Sequence, residues 1–244
     1  MPAYEIAAGN FERHLQHNPY PGRGFVVGRS SVDASWLMIY WIMGRSARSR
    51  NRRLVAHGGI LRTEPVDASL LDDPSLIIYD AMLELPGMYL VGNGAQVQAI
   101  YDTLRQGGSF DAALVPWERE PDPPHYTPRI SAMLDLRTSP GELTLSILKA
   151  HVANPDYTDR TTYHPATPPV GFGLGLTTYL GDGDPLPGFR GDPLLLPCQG
   201  QPGEVLDTYW QALHADNRIA LAVKRIPDDG GQGRLIIRNR FGEQ

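Results

Sequence analysis

Trp36-Leu37-Met38-Ile39-Tyr40-Trp41-Ile42-Met43 is an unbroken apolar run, and Gly44-Arg45-Ser46-Ala47-Arg48-Ser49-Arg50-Asn51-Arg52-Arg53 follows it directly. An apolar run with no polar alternate reads as a buried strand, covered on both faces. Five arginines then fall within nine positions. Arginine presents a planar fork of donors that matches phosphate oxygens two at a time and stays charged at any working pH. A buried strand that delivers guanidinium groups at its end is therefore a place to hold a phosphate. A solvated basic loop and a nucleic-acid contact are the competing readings of the same residues.

The rest of the composition weighs on that choice. Across 244 residues the net charge is −5, so the arginine cluster is a local feature of an acidic chain. A general nucleic-acid binder is usually basic over the whole domain. A small anionic ligand fits better, and no nucleic-acid partner is expected. The length suits a single domain with a substantial core. One cysteine, Cys198, excludes an intramolecular disulfide and a cysteine-based zinc site. No apolar run approaches the roughly 20 residues of a membrane helix, and no signal-peptide pattern opens the chain. A cytoplasmic protein without membrane contact is expected.

Around the apolar run, Phe25-Val26-Val27-Gly28-Arg29 reads as a first strand, pairing with residues 35–43 as a hairpin whose polar limits are Arg29 and Arg45. Residues 1–19 read as a short helix or covering arm. Strands are expected at 54–56 and 60–61 about the turn Gly58-Gly59, at Leu76–Met82, and at Met88–Val91. Val97, Ile100, Tyr101 and Leu104 form one helical stripe, and Ser109 caps a second short helix limited by Pro116. Ile130, Ala132, Leu134 and then Leu143, Leu145, Ile147 alternate with polar residues, as half-buried antiparallel strands do. Residues 118–126, 151–170 and 181–203 read as irregular. Gly171-Phe172-Gly173-Leu174-Gly175-Leu176 reads as a strand with one bare face, against which something packs closely. A helix starts at Pro202, and strands at 219–226 and 235–237 close the chain around residues 227–231. The tally predicts an α+β sandwich with sheets inside and helices outside.

Several short pieces, in order, resemble the archaeal-type IMP cyclohydrolase family. They are Tyr20-Pro21-Gly22-Arg23, Val27-Gly28-Arg29-Ser30, the cluster ending in Asn51-Arg52, Tyr79, Gly92-Asn93-Gly94, Trp117-Glu118 and Thr127-Pro128-Arg129-Ile130. Beyond residue 170 the likeness is looser, chiefly Thr177-Thr178-Tyr179 and Ala222-Val223-Lys224. The resemblance implies a four-layer α-β-β-α fold like that of the N-terminal-nucleophile hydrolases. It implies dehydrative ring closure of 5-formamidoimidazole-4-carboxamide ribonucleotide, a purine precursor nucleotide, to IMP. It implies no metal, no organic cofactor and a homo-oligomer. Proline at position 2 leaves no Ser, Thr or Cys as a new N-terminus without cleavage, so the hydrolases' self-processing is not expected.

By the same resemblance Arg52, Tyr79 and Glu118 are the candidate catalytic residues. Arg52 would donate to the formyl or carboxamide oxygen, Tyr79 would donate to the developing oxyanion or relay a proton, and Glu118 would orient the amine or accept its proton. Arg23, Arg29, Arg45, Asn51, Asn93 and Arg129 are the candidate substrate-binding residues. The link from Glu118 to Thr127 is longer than in the family, which makes Glu120 a competitor for the matched carboxylate. His125, His151 and His164 have no metal-binding spacing. Two alternatives stand beside the cyclohydrolase: a nucleotide-binding protein without turnover, and an amide hydrolase, for which no nucleophile beside a base can be placed.

Overall fold

The computed structural model describes residues 2–70, 76–227 and 231–241. Two antiparallel sheets face each other. The first sheet contains β1 (Gly24–Arg29), β2 (Trp36–Met43), β10 (Phe172–Thr177), β11 (Leu194–Pro197), β12 (Arg218–Ile226) and β13 (Arg234–Asn239), in the spatial order β11-β10-β1-β2-β12-β13. The second is a meander of β3 (Arg53–His57), β4 (Ile60–Glu64), β5 (Asp80–Leu85), β6 (Met88–Gly92), β7 (Arg129–Asp135), β8 (Glu142–Ala150) and β9 (Thr158–Tyr163).

The apolar run forms β2, and every residue in it is buried. Its neighbours show why no polar alternate is tolerated. Successive side chains on a strand point to opposite faces. Tyr40 points between the sheets, where its hydroxyl meets that of Tyr79. Trp41 points outward and packs on Tyr209 of α5 (Pro202–Ala212), ring centroids 6.1 Å apart. On the far side of the second sheet α3 (Gln96–Arg105) and α4 (Phe110–Leu114) cover Leu83, Leu90 and Leu148. The layers are helix, sheet, sheet, helix.

The hairpins at 24–43, 53–64 and 129–150 and the helix starts at Ser109 and Pro202 lie where the sequence predicts them. The closing hairpin of β12 and β13 is present, and residues 228–230 of its turn lie outside the described residues. Four expectations need correction. The strand predicted at Leu76–Met82 begins at Asp80, because Tyr79 leaves the ladder and bonds Thr63 through its backbone. The segment 151–170 contains β9, an edge strand whose residues are all half-buried or exposed, so it carries no hydrophobic alternation. The segment 181–203 contains β11, and the arginine cluster contains a one-turn helix, α2 (Ala47–Arg50). The N-terminal arm is α1 (Ala3–Phe11), continued by a wide turn to Gln16. It buries Ala7, Phe11 and Leu15 against β11 and α5.

Candidate active site

A cavity of about 500 Å³ opens at one end of the sandwich. It sits where β2 ends, where the chain enters β1 and where β10 leaves the sheet. Its wall combines Tyr20, Gly22 and Arg23 with Met43, Arg45, Ser46, Arg48, Ser49 and Arg52. The connection residues Glu120, Asp122, His125 and Thr127 add to it, with Tyr179 and Leu186, and Leu76, Ile77 and Pro121 also line it. Four guanidiniums thus face two carboxylates on a chain that is acidic as a whole. The volume is that of a small-molecule site.

The entry turn is built for this position. Gly22 has φ +73, and a Cβ there would lie 2.1 Å from Thr178 Oγ1. Only glycine takes that conformation without strain and leaves the space. The Thr178 hydroxyl accepts from the Arg23 backbone N–H at 3.1 Å, which fixes where the Arg23 side chain departs. Arg23 is buried. Its Nη1 donates to the Asn93 carbonyl and its Nη2 to Glu120 Oε2, both at 2.8 Å.

Glu120 is the other half of that pair, 2% exposed. Oε1 has no hydrogen-bond partner among the described residues, and Arg129 Nη1 lies 3.8 Å from it. Burial pushes the Glu120 carboxyl above its ordinary value, and the attraction of Arg23 and then Arg129 opposes the rise without cancelling it. A buried carboxylate oxygen that accepts no hydrogen bond is costly, so its persistence points to a use.

Arg52 is also buried. Its Nε donates to the Ser49 carbonyl at 2.8 Å and its Nη2 to the Met43 carbonyl at 3.0 Å. Among the described residues Nη1 makes no hydrogen bond. Ser46 and Ser49 cap the single turn between them reciprocally, which holds the arginine loop in a compact shape. Arg45 stacks over the Tyr20 ring at 4.9 Å and pairs with Asp182. The Tyr20 and Tyr179 rings are themselves stacked, centroids 5.9 Å apart. The Tyr179 hydroxyl lies 2.5 Å from Thr127 Oγ1, which hydrogen-bonds Asp122.

Tyr79 lies just behind this lining. Its hydroxyl is 2.7 Å from that of Tyr40, within electrostatic reach of Arg23. Burial drives the Tyr40 phenol well above its ordinary pKa, so Tyr40 is neutral. Two phenols in one hydrogen bond commit one proton. Among the described residues the other has no partner.

The remaining candidates do not converge. Glu118 projects into solvent with its side chain 60% exposed, 3.7 Å from Arg119, and only its carbonyl matters here, accepting from Arg129 Nε. Of the two competing carboxylates, Glu120 is the one that lines the cavity. Arg29 ends β1 at the opposite end from Arg23, about 20 Å away at the rise of a strand, where it bonds the Ala34 carbonyl and lies over Trp36. The Asn51 side chain clasps the Asp67 backbone through both amide atoms. Asn93 spends its amide on Pro128, Ile130 and Gln96, welding β6 to the start of β7. Arg129 stands behind Glu120, sandwiched between Gln96 and Trp117. Asn51, Asn93 and Arg129 therefore shape the cavity without lining it. Conversely, Tyr40, Asp122, Thr127 and Tyr179 were not singled out for chemistry. Thr127 and Tyr179 stand in the segments that carry the resemblance, which was the available signal. Asp122 stands in a proline-rich link with none.

Among the described residues, no three His, Cys, Asp or Glu side chains are grouped to share a metal ion, and no helix is long and apolar enough to cross a membrane. No curated protein matches the chain. The model of one family, IMP cyclohydrolase-like protein, matches residues 20–230. The match takes in every lining residue of the arginine-walled cavity, from Tyr20 to Leu186, and the chain belongs to the IMP cyclohydrolase-like protein family.

Proposed function

We propose that the cavity closes the purine ring, converting 5-formamidoimidazole-4-carboxamide ribonucleotide to IMP and water. The observation that carries the reading is Glu120, a buried carboxylate in the wall of a cavity otherwise rich in guanidinium groups, with one oxygen that accepts no hydrogen bond among the described residues. A phosphate monoester needs the cations. A nearly non-basic amide nitrogen needs the carboxylate, because it must lose a proton as it attacks.

In this reading Arg45 and Arg48 at the mouth take the 5′-phosphate, Arg45 exchanging Asp182 for it. The imidazole lies inward, with the carboxamide nitrogen toward the Glu120 carboxyl. Its attack on the formyl carbon forms the C–N bond while an N–H proton passes to Glu120. The formyl oxygen gains negative charge and is met by Arg52 Nη1. Loss of that oxygen as water breaks the C–O bond. It needs two protons, one returned from Glu120 and one from the formamide nitrogen as the ring C=N forms. Tyr79, receiving the Tyr40 proton in its hydrogen bond, offers its own hydrogen to the departing oxygen. The substrate already holds its reacting groups as neighbours on one ring, so much of the enzyme's share is fixing their orientation.

The test follows ultraviolet absorbance and product identity when purified protein meets the formamido nucleotide at neutral pH. IMP formation at a rate far above the uncatalysed closure is expected. Tight binding without IMP would overturn the catalytic reading in favour of a nucleotide-binding protein without turnover.

A further inference from the structure

The cavity contains a second hydrogen-bonding device that the steps above do not use. Asp122 Oδ1 accepts from the Thr127 backbone N–H at 2.7 Å, and Asp122 Oδ2 is bonded to the Thr127 hydroxyl. A carboxylate can only accept, so the single Thr127 proton is committed to Asp122. The contact between Thr127 Oγ1 and the Tyr179 hydroxyl, 2.5 Å, must then be supplied by the phenolic proton. The direction of the whole chain is set: Tyr179 donates to Thr127, and Thr127 donates to Asp122. All three residues line the cavity, and Thr127 and Tyr179 are buried. Tyr179, a residue type that usually offers a donor, therefore presents only lone pairs to a ligand. Among the described residues Arg23 makes no hydrogen bond to them; its Nη1 and Nη2 donate to the Asn93 carbonyl and to Glu120.

We infer that Tyr179 is a substrate-reading acceptor, which takes the N–H of the 4-carboxamide that the reaction retains, and that Thr127 and Asp122 are positioning residues that fix its polarity. The inference rests on the proposed ring closure. The carboxamide nitrogen starts with two hydrogens. One leaves during attack, toward Glu120, and the other remains on the product ring. Two acceptors, one basic and one neutral, suit those two hydrogens. They select against a 4-carboxylate, which has no N–H to give and would face both acceptors with its own lone pairs.

The test compares two ligands that lack the formyl group and so do not turn over: 5-aminoimidazole ribonucleotide bearing a 4-carboxamide, and the same nucleotide bearing a 4-carboxylate. Their Kd values are measured by titration calorimetry on the full chain. Wild type should prefer the carboxamide. Thr127→Val releases the Tyr179 proton to the cavity and turns the acceptor into a donor, so the preference should shrink about tenfold, whereas Thr127→Ser should restore it. Tyr179→Phe should lose about tenfold in carboxamide affinity with no gain for the carboxylate. A wild-type preference ratio in Thr127→Val overturns the inference. So does wild-type carboxamide affinity in Tyr179→Phe, which decides the matter if Thr127→Val does not fold. Either result in a protein whose wild type forms IMP leaves the ring-closure reading standing. A wild type that binds neither nucleotide removes both.

Discussion

Glu118 and Glu120 are two residues apart, and their environments separate them completely. One is solvated, while the other faces Arg23 across 2.8 Å in a buried pair. Burial raises the Glu120 carboxyl above its ordinary value of 4.5, with a sign that differs for stability and for activity. Because the folded state holds this proton more tightly than the unfolded chain, the contribution of Glu120 to stability declines as pH rises from 4.5 through the folded-state value. A base must be unprotonated, so kcat/KM should instead fall as pH drops through that value. The acidic limb of the rate profile is thus expected above pH 4.5. Glu120→Gln should lower kcat by about 100-fold or more, abolish that limb and flatten the stability slope. Glu118→Gln should leave kcat within about twofold, since its carboxylate touches nothing in the cavity. Steady-state kinetics against pH on both variants checks the pair, and equal losses would return the catalytic role to Glu118.

Among the elements, β10 shows most directly how glycine spacing becomes packing. The expectation of close approach against 171–176 is met by β1: Gly173 pairs with Gly28, and a Cβ on Gly173 would lie 2.7 Å from Val26 Cγ1 and 2.9 Å from the Gly28 Cα. The contact matters for the site because β1 begins directly after Arg23 and β10 runs on to Thr178 and Tyr179. Gly173→Ala should cost about 1–3 kcal/mol by overpacking, seen as a fall in Tm of a few degrees, about 2–4 °C per kcal/mol for a chain of this size. An unchanged Tm would mean that the two strands separate freely at this point. β9 teaches the opposite lesson. As an edge strand it buries no face, so its residues carry no period, and only pairing with β8 makes it a strand.

At the scale of the molecule, polar contacts join the two sheets as well as their largely apolar shared core. Lys224 on β12 is fully buried, and its Nζ donates to the Gly59 carbonyl at 2.7 Å and pairs with Glu84 of the opposite sheet. Asn239 on β13 bonds both backbone groups of Leu54 on β3, imitating a strand partner across the gap between the sheets. Lys224→Ala should cost roughly 3 kcal/mol, because it strands a half-buried carboxylate and a carbonyl along with a cavity. Lys224→Met combined with Glu84→Gln should recover most of that loss, since replacing both charges avoids an unpaired ion. Denaturant unfolding of the three proteins measures this, and equal stability of the single and double variants would mean that the pair is not what couples the sheets.

The amino-acid order alone determined the class of the fold, through residues whose burial period is written locally. The run 36–43 demanded cover on both faces, the alternation at 130–147 demanded one, and the stripes of α3 and α5 demanded a sheet beneath them. It also marked the arginine loop as the place for an anion. Which carboxylate serves the cavity, why Arg29 takes no part and how Tyr179 comes to face Thr127 were decided only by the tertiary structure. Those outcomes depend on distances between segments some 50 to 100 residues apart or more, and on the exclusion of water from Glu120, neither of which has any signature in neighbouring residues.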